Sequence, residues 1–178
     1  MKNILITGGG GFIGSHTCLV FLEHGFNLYI ADSFVNSSKE VFQNIKNILN
    51  ISCKYVENKI NIFEGDIRNI QFLLNIFHEA SKKNQAIDGV IHLAGLKSVF
   101  ESTLNPTLYW DVNVNGSINL LKVMDKYDCK TIVFSSSAAI YGLSENALHH
   151  EKSAINPTNP YGTTKITVEK LLNDQYKK

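Results

Sequence analysis

The glycine-rich stretch Ile4-Leu5-Ile6-Thr7-Gly8-Gly9-Gly10-Gly11-Phe12-Ile13-Gly14 limits what this chain can fold into more than any other segment. Ile4, Leu5 and Ile6 read as a short, buried parallel strand that runs directly into a glycine turn. Gly8, Gly11 and Gly14 follow the spacing G-x-x-G-x-x-G, a dinucleotide-binding fingerprint whose first gap is one residue wider than the usual form. Gly8 turns the backbone sharply off the strand. Gly11, lacking a Cβ, lets the peptide approach a pyrophosphate, and Gly14 lets the following helix pack closely on the strand. That helix is predicted from Phe12 to His24, with Ile13, Leu19, Val20 and Leu22 facing inward. Its free N–H groups and positive dipole end point at the phosphates.

Glycines by themselves also make flexible turns, so the flanking chain decides. A second strand, Asn27 to Ala31, follows the helix and ends at Asp32. An acid about 20 residues beyond the glycines is placed to bond the adenosine ribose hydroxyls. Its charge repels a 2′-phosphate, which favours NAD over NADP.

Bulk properties bound the class. At 178 residues the chain holds one domain with a real core, read here as a single dinucleotide-binding domain over 1–178. A formal net charge of +1 argues against a broad nucleic-acid footprint. No apolar run reaches membrane-spanning length, and the one after Met1-Lys2-Asn3 stops at Thr7, too short for a secretory signal. A cytoplasmic protein with no membrane partner is expected. Cys18, Cys53 and Cys129 are far apart and form no CxxC pair, so buried reduced thiols are expected and a metal site is not.

Strand and helix patterns alternate along the rest of the chain. Ser33 to Ser38 form a polar loop suited to wrapping an adenosine, and Ser37 or Ser38 can cap a helix from Lys39 to Leu49 with Val41, Ile45, Ile48 and Leu49 inward. Asn50 to Lys59 reads as a loop or short irregular strand, and Ile60 to Glu64 as the third strand. Asp66, just past it, can contact adenine or cap a helix from Asn69 to Ala80. Asp88 to Leu93 is the fourth strand and leads into Ala94-Gly95-Leu96-Lys97, small residues against which a cofactor can lie, with Lys97 able to neutralise phosphate. His92 reads as a satisfied interior histidine. A long helix from Pro106 to Asp128 carries Leu108, Val112, Ile118, Leu121 and Met124 on related faces, together with Asn113, Asn115 and Asn119. The fifth strand, Thr131 to Phe134, ends in Ser135-Ser136-Ser137, and an exposed polar loop spans Leu143 to Asn159. This alternation predicts an α/β fold of Rossmann type, a doubly wound parallel sheet in the order 3-2-1-4-5.

Pro160 opens a last helix in which Tyr161 and Lys165 lie four residues apart, on one face. Tyrosine is a poor base near its free pKa of about 10, and a neighbouring ammonium favours the phenolate. Behind a dinucleotide fold and a serine-ended fifth strand, this pair is the strongest catalytic signal in the chain.

With these residues in place, the sequence resembles the extended short-chain dehydrogenase/reductase superfamily, and within it the UDP-glucose 4-epimerase family. The matching motifs run along nearly the whole chain: Thr7 to Thr17, Glu64-Gly65-Asp66-Ile67-Arg68, His92 to Lys97, Phe134 to Ala138, and Asn159 to Lys165. The stretch from Ala94 through Val99 to Glu101-Ser102 looks specific to the epimerases. The resemblance implies that Phe12 and Ile13 flank the pyrophosphate of NAD, and that Asp32, Ser33, Phe34, Val35, Asn36 and Ser37 hold the adenosine ribose and a nearby phosphate. It implies that Asp66 and Ile67 meet adenine, and that Leu93, Ala94, Gly95 and Lys97 line the cofactor. Asn113 would join them from a helix where bacterial members carry paired asparagines and this chain reads Val112-Asn113. Ser137, Tyr161 and Lys165 would form the catalytic triad on a UDP-hexose. Tyr161 would take the proton of the sugar 4-hydroxyl, Ser137 would position the 4-oxygen, and Lys165 would bond the nicotinamide ribose. A homodimer through the long helix and the Tyr-Lys helix is likewise implied.

Two features bear on how far the resemblance reaches. Family members continue well beyond the counterpart of Lys178, so a fragment or truncated product is expected, without the last strands and the sugar-nucleotide domain, and inactive by itself. Nucleotide-sugar 4,6-dehydratases resemble one another in a Thr-Asp-Glu triplet at the end of the fifth strand, because eliminating water needs an added acid and base. Ser137, Ala138 and Ala139 stand there instead, which argues against dehydration. A decarboxylase, an epimerase of another nucleotide sugar, or a non-enzymatic NAD-binding module remain the rival readings.

Overall fold

The computed structural model describes residues 2–49, 58–143 and 148–177. Their packing forms two compact units, Met1–Ala94 with Asn119–Phe134, and Gly95–Ile118 with Ser135–Lys178.

The first unit is built on β1 (Asn3–Thr7), whose five residues are all buried. β1 pairs in parallel with β2 (Asn27–Asp32) on one side and β4 (Gly89–His92) on the other; β3 (Ile60–Glu64) and β5 (Ile132–Phe134) extend the sheet to the predicted order β3-β2-β1-β4-β5. Strands covered on both faces read as unbroken apolar runs, and the two sides of this sheet alternate as the pleat demands. Ile4, Ile6, Leu28 and Ile30 pack under α1 (Phe12–Glu23) and α2 (Glu40–Leu49). Leu5, Tyr29 and Val90 pack under α3 (Ile70–Lys82) and α6 (Gly116–Lys126), whose Leu73, Ile76, Phe77, Leu120 and Val123 close that core. Each fully buried Leu or Ile contributes about 2 kcal/mol relative to exposure. Cys18 and Cys129 are buried free thiols, Cys18 pushed up to about 12 by burial, while Cys53 and most of the irregular segment expected at 50–59 lie outside the described residues.

The inward faces of two helices differ from the sequence reading. In α1 the sheet side is Gly14, Ser15, Cys18 and Leu22, whereas Ile13 and Val20 are 60% and 51% exposed. The close approach at Gly14 sets the rotation of the helix, and Ile13 and Val20, which project about 100–120° to one side of Gly14, turn outward. In α2 Phe42 and Ile45 are inward and Ile48 faces out, with Val41 and Leu49 half-buried. Ser38, not Ser37, supports the start of α2, its Oγ accepting from Glu40 N at 3.2 Å. Asn69, not Asp66, caps α3, its side chain accepting from Gln71 N and Phe72 N.

The second unit holds α4 (Val99–Leu104), α5 (Pro106–Tyr109), a π-helical stretch (Trp110–Asn115), a 3₁₀ turn (Ala138–Ile140) and α7 (Pro160–Tyr176). The single helix expected from Pro106 to Asp128 is therefore interrupted by π geometry. That wider turn slips the helical phase, so Leu108 faces solvent at 45% exposure while Tyr109 and Asn113 are buried. Met124, beyond it, is buried as the pattern predicts, and Val112, Ile118 and Leu121 are half-buried. Pro160 occupies the first turn of α7, and Asn159 caps it by accepting from Gly162 N at 2.8 Å. Among the described residues no helix is long and apolar enough to cross a membrane, and no group of His, Cys, Asp and Glu side chains is arranged to hold a metal.

Candidate functional site

In the first unit the glycine loop leaves β1 through Gly8, at φ +72°, where a Cβ would lie 2.7 Å from Ala94 N. At Gly14 a Cβ would run into Gly8 O and Gly9 Cα, so packing alone demands glycine at both positions. Gly11 differs. A Cβ there would meet only Gly8 O, at an ordinary 3.4 Å, so its bareness is not required by the protein's own packing. Gly11 is also the N-cap of α1, and no side chain caps that first turn. An open backbone edge with uncapped helix amides fits the diphosphate of a dinucleotide. Phe12 and Ile13 stand exposed at the same end.

Asp32, at the end of β2 and 8% exposed, has most of its capacity engaged within the chain. It accepts from Gly10 N and Phe34 N at 2.8 Å each and from Ser37 Oγ at 3.1 Å. A carboxylate offers about four lone-pair sites, so one is left for a ribose hydroxyl. Phe34 adopts φ +53° to bring its amide onto that carboxylate, while Ser33, Val35 and Asn36 are exposed. Gly65 N donates to Asp32 O at 2.9 Å, which lays the 65–68 turn beside this acid. There Asp66 is gripped by Arg68, whose hydrogen bonds hold its carboxyl below the usual carboxylate range. The Ile67 side chain is buried in the core, so only its backbone can meet a base. Leu93 and Ala94 are half-buried and pack against the two cores, with Leu93 N bonded to Thr7 O and Ala94 N to Thr7 Oγ1. His92 is an interior histidine, 2.7 Å from Thr7 Oγ1.

In the second unit Lys165 is 5% exposed and donates from Nζ to Ser135 O at 2.8 Å. Burial pushes its ammonium down to about 8. Nζ lies 5.8 Å from the centroid of the Tyr161 ring, so the pair four residues apart does share a face. Tyr161, 9% exposed, is braced edge-on by Tyr109 at 6.4 Å between centroids. Ser137 Oγ accepts from Ala139 N at 3.2 Å at the start of the 3₁₀ turn, and Ser136 Oγ is buried without a hydrogen-bond partner among the described residues. Lys97 is exposed, and Gly95 adopts φ +157°.

Asn113 is bonded within the second unit. Its Nδ2 donates to Leu96 O at 3.0 Å and Thr164 Oγ1 at 3.1 Å, and its Oδ1 accepts from Leu96 N at 2.8 Å. Both amide hydrogens are spent within the chain, tying the 95–97 loop to α7. Asn119 is buried and donates to Arg68 O; Asn115 is exposed. Thr164, Tyr109 and Arg68 were not singled out by the sequence as functional residues. The Asp66-Ile67-Arg68 spacing was the one local signal available, since a residue two positions on can fold back onto a carboxylate.

Comparison with known proteins adds a family and a scale. The chain matches the family model of GDP-mannose 4,6 dehydratase over residues 5–178. UDP-glucose 4-epimerase 2 of Arabidopsis thaliana is 40% identical over 176 residues, covering 99% of this chain and 48% of the plant protein. Among solved structures, UDP-glucose 4-epimerase from Bifidobacterium longum, in complex with NAD+ and UDP, matches with a TM-score of 0.87 at 36% identity, over 98% of this chain and 49% of that one. The enzyme from Stenotrophomonas maltophila, with bound NAD and formylated UDP-arabinopyranose, matches with a TM-score of 0.84 at 36% identity, over 98% and 48% of the two chains. The chain spans about half the length of the curated relatives it matches.

Proposed function

The chain belongs to the GDP-mannose 4,6 dehydratase family, and from that premise we propose that it is the NAD-binding half of an epimerase that interconverts UDP-glucose and UDP-galactose at C4. The observation that carries the chemistry is the Tyr161–Lys165 pair, with the buried ammonium 5.8 Å from the phenol ring. Tyr161 is the group of the pair that can take the proton of a sugar hydroxyl, with the Lys165 ammonium beside its ring. Ser137, at the end of β5, orients the 4-oxygen. When bound, NAD supplies the hydride acceptor and donor. The glycine loop and Asp32 bind the pyrophosphate and the adenosine ribose, and Asp66 binds adenine.

Epimerisation is favoured over the dehydration for which the family model is described. Removing water across C5 and C6 needs an acid and a base beyond the Tyr-Lys pair, and the residues after Ser137 are Ala138 and Ala139, which carry no proton. The relatives named above are epimerases, which supports the same choice. The reading includes a homodimer of the whole protein, supported by the apolar side chains of Phe100, Leu104 and Leu108 exposed on α4 and α5; sedimentation of the full-length protein tests it.

The deciding experiment assays the full-length protein with UDP-galactose and a coupled readout of UDP-glucose, alongside Tyr161→Phe. The variant should retain NAD while turnover falls by about 10²–10⁴-fold, the usual worth of a positioned acid-base group. Unchanged turnover removes Tyr161 from the mechanism, and a 4-keto-6-deoxy product would replace epimerisation with dehydration.

A further inference from the structure

At the adenine end of this reading, on which the inference rests, we propose that Arg68 and Asn119 are positioning residues that fix Asp66 as a selective acceptor for the amino group of adenine. Asp66 accepts from Arg68 N at 2.8 Å on Oδ1, and from Arg68 Nε at 3.0 Å and Nη2 at 2.7 Å on Oδ2. Of the roughly four lone-pair sites on a carboxylate, these bonds fill both on Oδ2 and one on Oδ1. A single acceptor site remains on Oδ1, on a side chain that is 39% exposed and so within reach of a ligand.

The turn that carries it is pinned from behind. Asn119, 9% exposed on α6, donates from Nδ2 to Arg68 O at 2.8 Å. Ile67 is anchored in the core at 5% exposure, and Asn69 N closes the turn onto Asp66 O at 2.9 Å. An exposed ion pair adds little stability by itself. A planar guanidinium on one oxygen does restrict how the carboxylate can rotate. The fixed lone pair accepts from a donor such as the adenine amino group and opposes an acceptor such as the carbonyl of hypoxanthine. Base selectivity then depends on Arg68 and Asn119 as much as on Asp66 itself.

The test compares NAD with nicotinamide hypoxanthine dinucleotide by isothermal titration on the full-length protein, with circular dichroism melting to confirm folding. Wild type should favour NAD by about tenfold or more, as sites built around a specific hydrogen bond do. Arg68→Leu should bring the ratio of the two dissociation constants close to unity, and Asn119→Ala should lower it part of the way. Asp66→Asn, nearly isosteric, offers an amide donor in place of the acceptor and should invert the preference. If the protein binds NAD and the ratio is unchanged in Arg68→Leu, the positioning role is overturned while the cofactor reading stands. If wild type binds neither dinucleotide, the cofactor reading fails and this inference with it.

Discussion

Gly11 and Gly14 sit three residues apart, and the structure gives them different reasons for being glycine. A Cβ at Gly14 collides with the backbone of the loop, whereas one at Gly11 makes only an ordinary contact with Gly8 O, and the Gly11 backbone at φ −73° suits any residue. Gly11→Ala should therefore change stability by less than about 1 kcal/mol and weaken NAD binding by tenfold or more. Gly14→Ala should cost several kcal/mol by forcing the helix off the loop. Urea denaturation paired with NAD titration separates the two, and equal loss of stability would show that Gly11 is structural after all. Lys165 makes a second residue-scale prediction. Burial lowers its pKa from 10.5 to about 8, so between these values the unfolded chain binds the extra proton and stability rises with pH. Below pH 8 both states are charged and the full burial penalty stands. Lys165→Met should thus melt higher than wild type near pH 7, and its advantage should shrink between pH 8 and 10.5. A difference that does not vary with pH would mean that the ammonium is not desolvated.

At the scale of elements, α7 matters most because it carries Tyr161 and Lys165 on successive turns. Its start is set by Asn159 and Pro160, one accepting from Gly162 N and the other needing no partner for a missing N–H. Asn159→Ala should cost about 1 kcal/mol, measurable by urea denaturation, and should fray the turn that holds Tyr161. No change in stability would show that Pro160 alone fixes the start. The cap, the proline and the four-residue spacing could all be read from the sequence, because they depend on neighbours along one helix. The inward sides of α1 and α2 could not. An amphipathic pattern gives a period, but the rotation of α1 is chosen by where Gly14 touches the loop, and that contact turns Ile13 and Val20 outward. The π-helical stretch is a further case, since nothing local to Trp110–Asn115 forces an extra residue into the turn.

For the molecule as a whole, the governing fact is that the chain matches about half the length of its relatives. The edge strand β5 leaves Val133 57% exposed. The 178 residues alone should show little or no epimerase turnover, while the full-length protein turns over. A coupled assay on both checks this, and substantial turnover by the 178-residue chain would refute it.

From the sequence alone came the alternation of strands and helices, the parallel order 3-2-1-4-5, the glycine loop, the acid at Asp32 and the Tyr161–Lys165 pair, because each is written in local spacing and residue type. Tertiary structure alone decided which buried amides meet which backbone groups: Asn113 on Leu96 and Thr164, and Asn119 on Arg68, 51 residues away. Such pairings are fixed when separate elements pack and every buried polar group must find a partner. No periodicity within a single segment encodes that requirement.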